Sequence, residues 1–219
     1  MTRPPHLRKT ANFSESIHRQ LSMYALAASA AGVSLLALTP PAEAKIIYTP
    51  AHRVIGPHDS YNIDLNHDGT TDFTIANSVS ACTDFCFFEL RQRPAAGNSA
   101  LGYILGSGFL LDSALKSGAL IGSRRPFKKG TAAMAVARAN VYTSNKTIAY
   151  GPWVNVKDRF LGLKFQINGK SHFGWARLMV KLSKTKITAI LTGYAYETIP
   201  GKSVKAGQTK EAADDGATN

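Results

Sequence analysis

Asp64, Asn66, Asp68, Gly69, Thr70 and Asp72 fall in the run IDLNHDGTTDF, residues 63–73, at the spacing D-x-N-x-D-G-T-x-D. A hard divalent cation needs this pattern: alternate oxygen-bearing side chains turn toward one centre, glycine allows the sharp bend, and the next residue offers its backbone carbonyl. The spacing predicts a Ca²⁺ site with Asp64, Asn66, Asp68, Thr70 and Asp72 as ligands. Ca²⁺ takes six to eight oxygens, and this segment supplies roughly five. The bidentate Glu that closes such loops is missing, because Ile75 stands in its place. Water, or a distant acid such as Asp84 or Glu89, would complete the shell. The competing reading is an Asx-rich turn without metal. Repulsion among three carboxylates within nine residues favours the ion.

Little else in the chain has the spacing of a reactive site. Cys82 and Cys86, in ACTDFC, are the only two cysteines. In an exported protein such a pair is most simply a disulfide that shapes a short segment. Zinc would need about four N/S ligands, and no Cys/His cluster completes that set. There is no G-x-S-x-G and no H-E-x-x-H, and His52, His58, His67 and His172 are scattered. The expectation is a non-enzymatic protein. A secreted polysaccharide hydrolase is the alternative, with carboxylates such as Asp158 or Glu197 converging in a cleft, where two acids about 5 to 10 Å apart would carry the reaction.

The elements that must position these residues begin after a leader. Arg3, Arg8, Lys9 and Arg19 precede the apolar run Tyr24–Leu38 and the exit TPPAEA. Basic start, apolar middle and Ala-x-Ala exit match a secretory signal occupying residues 1–44 and cleaved after Ala44. A retained membrane anchor is the alternative; against it, a span needs about 20 apolar residues. Of the 26 basic and 14 acidic side chains, the leader holds four and two, so the remaining 175 residues keep 22 against 12. Such an excess attracts polyanions. After export, acidic glycan or another cell-envelope component is the expected partner, and nucleic acid is not.

In the mature chain, KIIYTPA and TDFTIANSV alternate or concentrate β-branched and aromatic residues as strands do. YNID and DFTI do the same on either side of the aspartate loop, so strands flank it where an EF-hand has helices. RFLGLKFQINGKSHFGWARLMVKL, residues 159–182, is two alternating runs joined by Asn168-Gly169, the pair suited to a type I′ turn. ITAILTGYAYET, residues 187–198, follows as a third strand of a meander. Residues 95–130 are rich in Gly, Ser, Ala and Leu, and their periodicity does not separate short strands from loop. No repeat and no amphipathic helix is visible. The fold class expected is all-β, an antiparallel β-sandwich or jelly-roll-like single domain over residues 45–207, with a disordered tail over 208–219.

The Asn168-Gly169 turn sets a register that sends Leu161, Leu163, Phe165, His172, Ala176, Leu178 and Val180 to one face. Lys164, Gln166, Phe173, Trp175, Arg177 and Lys181 go to the other. The first face is the expected core. On the second, Phe173, Trp175 and Arg177 are ligand-binding candidates, able to stack a sugar ring or receive an acidic group. The alternative is that a second layer or loop covers Phe173 and Trp175, as the average burial of large aromatics favours. Arg124, Arg125, Lys128 and Lys129, in SRRPFKKG, would grip an anion or keep an edge strand soluble. Trp153 is the expected core plug.

The chain from AKIIYTPA through DLNHDGTTDF and FLGLKFQINGKSHFGWARL to LTGYAYETIPGKSVKAG resembles a group of bacterial exported proteins. Those proteins join a signal peptide to one D-x-N-x-D-G loop and a C-terminal hairpin carrying GWA and YAYET-P-G. They are similar to PEP-CTERM-type exported proteins, whose sorting tail is absent here. More loosely, the loop resembles those of integrin-type FG-GAP, dockerin and thrombospondin type 3 repeats, although here it occurs once. The resemblance implies export and a β-rich domain, and implies no activity.

Overall fold

The computed structural model describes residues 44–210 apart from 81, 83, 141, 143–146 and 184–185. The expected signal segment, up to residue 43, and the tail from residue 211 lie outside the described residues.

Among the described residues every regular element is a strand. In chain order they are β1 (Ile46–Ile55), β2 (Ser60–Ile63), β3 (Phe73–Val79), β4 (Phe85–Pro94), β5 (Ser99–Ile104), β6 (Leu110–Asp112) and β7 (Leu120–Ile121). Then come β8 (Phe127–Lys128), β9 (Ala132–Asn140), β10 (Thr147–Tyr150), β11 (Val156–Ile167), β12 (Lys170–Leu182), β13 (Ile187–Glu197) and β14 (Val204–Lys205). One large sheet runs β1-β13-β12-β11-β5-β6-β9-β4-β3-β2, with β10 beside β9 and β8 beside β5; β7 and β14 form a small second sheet. The β6–β9 pairing is parallel.

The β11–β12 hairpin follows from its turn. Asn168 and Gly169 take φ of 50° and 74°, the two positive values a type I′ turn requires. Ile167 therefore pairs with Lys170, Phe165 with His172, Leu163 with Gly174 and Leu161 with Ala176. β13 continues the meander, from Gly174↔Tyr196 to Leu182↔Ile187. Gly174 has to be glycine, since a Cβ there would lie 2.5 Å from the Ala195 carbonyl oxygen.

β5 turns the sheet over on itself. Its first residues, Ser99 and Ala100, pair with β11, whereas Gly102 to Ile104 pair with β6. The two halves face each other and enclose the main core, which includes Ile55, Ile75, Leu90, Met134, Leu163, Phe165, Leu178 and Leu191. Asn77 of β3 latches the open side: its amide nitrogen donates to the carbonyls of Ile55 (3.3 Å) and Ile187 (2.8 Å). The stretch 95–130 has no single period because it holds four strands of two to six residues that change partners. β1 runs beyond the expected KIIYTPA, with a register shift between Pro50 and Arg53. β1 ends the sheet order, and an edge strand tolerates proline's missing donor.

Trp153 is fully buried, and its indole N–H donates to the Asp112 carbonyl at 3.1 Å. Asp112 is itself 1% exposed, and its Oδ2 has no hydrogen-bond partner among the described residues. Burial pushes its carboxyl well above the ordinary value of 3.8, so the folded chain holds a proton that the unfolded chain releases. Stability from this group is complete below pH about 4 and falls as pH rises toward the folded pKa. Asp112→Asn should therefore match the wild type near pH 4 and exceed it increasingly toward neutrality, by at most about 1.4 kcal/mol per pH unit. Urea unfolding of both proteins between pH 4 and 8 measures this, and parallel pH profiles would refute it.

Candidate functional site

The aspartate loop joins β2 to β3, and its acids are bound first to its own backbone. Asp64 accepts from the N–H groups of Asp68 (3.2 Å) and Gly69 (2.8 Å) through different oxygens. Asp68 accepts from the Thr70 N–H and the Asn66 side-chain amide, at 2.8 and 2.9 Å. Those two donors hold its carboxyl below the usual value, the Asn66 amide contributing most. Gly69 has φ of 84°, as the sharp bend requires, and His67 also takes a positive φ of 58°. That conformation aims the His67 ring outward from the loop, where its Nε2 lies 2.8 Å from Thr49 Oγ1 of β1 and its centroid 6.1 Å from that of Tyr194. Burial, followed by neighbouring Tyr61 and Asp64, pushes the Tyr194 phenol up to about 12.

Asp72 differs from its expected role as a ligand. It is 7% exposed, its Oδ2 accepts from the Leu65 N–H at 2.9 Å, and its Oδ1 from the Asn98 amide at 3.2 Å. Burial raises its pKa, and Asp64 and Asp68 add to that rise against the two hydrogen bonds. The carboxylate thus ties the loop to β3 and to the β4–β5 connection. Among the described residues no group of three or more His, Cys, Asp or Glu side chains is arranged to hold a metal. What remains for a cation is the Asp64, Asn66 and Asp68 edge. There Asn66 Oδ1 is enclosed and accepts no hydrogen bond from the described residues. An acceptor oxygen without a donor suits a cation, and each carboxylate oxygen keeps a further lone pair beyond the N–H it accepts. Of the expected ligands, Asp64, Asn66 and Asp68 are therefore the side chains that would be left to hold a cation.

Asp84 and Glu89 are too far away to complete that shell. Phe73, beside the loop, pairs with Pro94, while Glu89 pairs with Ser78 five residues along β3, roughly 17 Å at about 3.3 Å per residue. Glu89 is also ion-paired with Arg91. Asp158 and Glu197, the acids singled out for a hydrolase, do not pair with each other. Glu197 is buried against the Ile199 N–H (2.9 Å) and Lys202 (3.3 Å), and its carbonyl lies 3.0 Å from His172 Nδ1. His172 pairs with Phe165, and Asp158 lies seven residues further along β11, roughly 20 Å away by strand rise. Cys82 and Cys86 form the expected disulfide, with Cα atoms 4.5 Å apart at the β3–β4 connection.

The ligand face proposed for Phe173, Trp175 and Arg177 is corrected by burial. Phe173 and Trp175 are each 1% exposed, in a second core with Leu101, Ile121, Phe160 and Val204. The small β7–β14 sheet and β8 supply the cover. Phe127 of β8 stacks on Phe173 with centroids 5.6 Å apart, Phe160 meets Trp175 edge-on, and the Trp175 N–H donates to the Gln208 carbonyl at 3.1 Å. Gln208 is thereby part of the domain, which extends past the expected boundary at 207. Arg177 is half-buried, its Nε 2.7 Å from Thr192 Oγ1. The basic SRRPFKKG segment lies beside β5, paired with it through Phe127↔Leu101 and Lys128↔Ala100.

Sequence reasoning missed Asn98 and Asn77, whose partners lie 26 and 110 positions away and leave no local signal. It also missed His67, for which the positive φ demanded by an Asn-His-Asp turn was the available clue. No family model, curated protein or solved structure matches the chain.

If the second core is structural, Trp175→Ala should cost about 3 to 5 kcal/mol, the usual range for a buried tryptophan. A solvent-facing ligand platform would lose almost none, so chemical denaturation of the variant separates the two outcomes.

Proposed function

We propose that the protein is an exported, non-enzymatic β-sandwich with a binding or structural role at the cell envelope or outside the cell, in which Ca²⁺ staples the aspartate loop. The observation that carries the calcium reading is the enclosed, unpartnered Asn66 Oδ1 beside Asp64 and Asp68. The ion would draw on those three side chains, the Thr70 carbonyl and water. It would relieve the repulsion by which Asp64 and Asp68 raise the Asp72 carboxyl. Because Asp72 already ties β2, β3 and the β4–β5 connection together, a cation one turn away would stiffen the same junction.

Export is supported by the disulfide, which persists in oxidising compartments, and by the leader pattern. The non-enzymatic reading rests on the missing motifs. The expected partner stays anionic, as the charge excess favours, but not through Trp175.

At 100 times its dissociation constant a folded-state ligand adds about 2.7 kcal/mol. For a chain of this size that is a rise in Tm of about 5 to 10 °C. Adding Ca²⁺ to chelator-treated protein should produce it, Mg²⁺ should produce much less, and Asp68→Ala should abolish it. A melting curve unmoved by Ca²⁺ or EGTA overturns the calcium reading.

A further inference from the structure

A groove of about 570 Å³ opens on the outer face of β11, β12 and β13, far along the strands from the covered Trp175 face, and its lining includes Val156, Lys157, Met179, Lys181, Lys186 and Ile190. The register builds it. Alternation sends Val180, Ala189 and Leu191 into the main core, leaving Met179 paired with Ile190 and Lys181 with Thr188 on the outside. β1 extends the apolar row, since Val54 pairs with Ile190 and is 52% exposed. One wall comes from β11. Between Val156↔Val180 and Arg159↔Leu178 that strand carries an extra residue, with Asp158 at φ 47°. Such a bulge re-aims side chains, and here it stands Lys157 beside Met179. Asn155, also at positive φ, closes the end by accepting from the Leu182 N–H at 2.8 Å.

We propose that this groove binds one anionic amphiphile, a long-chain carboxylate, with its head among Lys157, Lys181 and Lys186 and its hydrocarbon along Val156, Met179, Ile190 and Val54. Charge complementarity selects the head: among the described residues the lining carries three lysines and no acid. The floor selects the body. It is aliphatic and without an aromatic ring, so it offers a chain apolar contact and a sugar no stacking surface. The volume lies in the range of sites that hold a single small molecule, and the surface is concave, unlike one that meets a bilayer. This goes beyond the envelope role proposed above and is independent of the calcium loop.

The test is titration of the purified protein with dodecanoate below its micelle concentration, in EGTA and in Ca²⁺. Saturable binding is expected in both, which separates this result from the fate of the calcium reading. The double variant Lys181→Glu, Lys186→Glu should bind at least tenfold more weakly with an unchanged melting curve. Should that variant fold poorly, protection of Lys181 and Lys186 of the wild type from acylation by bound dodecanoate, read by mass spectrometry, serves instead. Equal binding of butyrate would mean charge alone, and equal binding of dodecyltrimethylammonium would mean apolar contact alone; either overturns the proposal. So does binding confined to phosphatidylglycerol vesicles, or a double variant or acylation pattern that dodecanoate leaves indifferent.

Discussion

The register of the β11–β12 hairpin is the constraint on which the rest of the molecule depends. Two residues at positive φ, Asn168 and Gly169, decide which side chains share a face. A slip of one residue would exchange Leu163 and Phe165 with Lys164 and Gln166 and place charge in the main core. Because β13 and then β1 pair outward from this hairpin, the same parity passes across four strands. It puts Val180, Ala189 and Ile55 inside, and Met179, Ile190 and Val54 outside. The main core and the outer groove are two consequences of one turn.

A sheet buried on one face needs no further cover, but this one is buried on both where the second core lies. Phe160, Phe173 and Trp175 point away from the main core and would expose large rings if left open. The chain answers with β7, β8 and β14, short elements from residues 120–205 that contribute Ile121, Phe127 and Val204. The apparent ligand face is therefore an internal layer. The two places proposed for function lie away from that cover: the aspartate loop between β2 and β3, and the lysine-rimmed groove at the far strand ends.

What the sequence made legible was local. The type I′ turn, the hairpin register, the disulfide and the strands flanking the aspartate loop all depend on neighbours within a few positions, where residue type and spacing act directly. Residues 95–130 were opaque because β5 divides its pairing between β11 and β6, so no period lasts long enough to register. The fate of Asp72 was opaque for another reason. Its spacing within the loop is that of a ligand, yet Asn98 and Leu65 claim its oxygens, and the Asn98 contact exists only after β4 returns beside β3. The covering of Trp175 by Gln208 is long-range in the same sense. The groove was invisible because its lysines belong to two separate stretches and its wall to a bulge.

Both-face burial of the C-terminal hairpin is the claim most open to direct measurement. Hydrogen exchange of the Trp175 indole N–H, followed by NMR, reports on the bond to Gln208 and on the cover above it. The account requires that this proton exchange as slowly as the β12 amides beside it, through an opening that costs most of the global stability. An indole proton exchanging at the rate of a free side chain, while β12 stays protected, would show an uncovered face and contradict it.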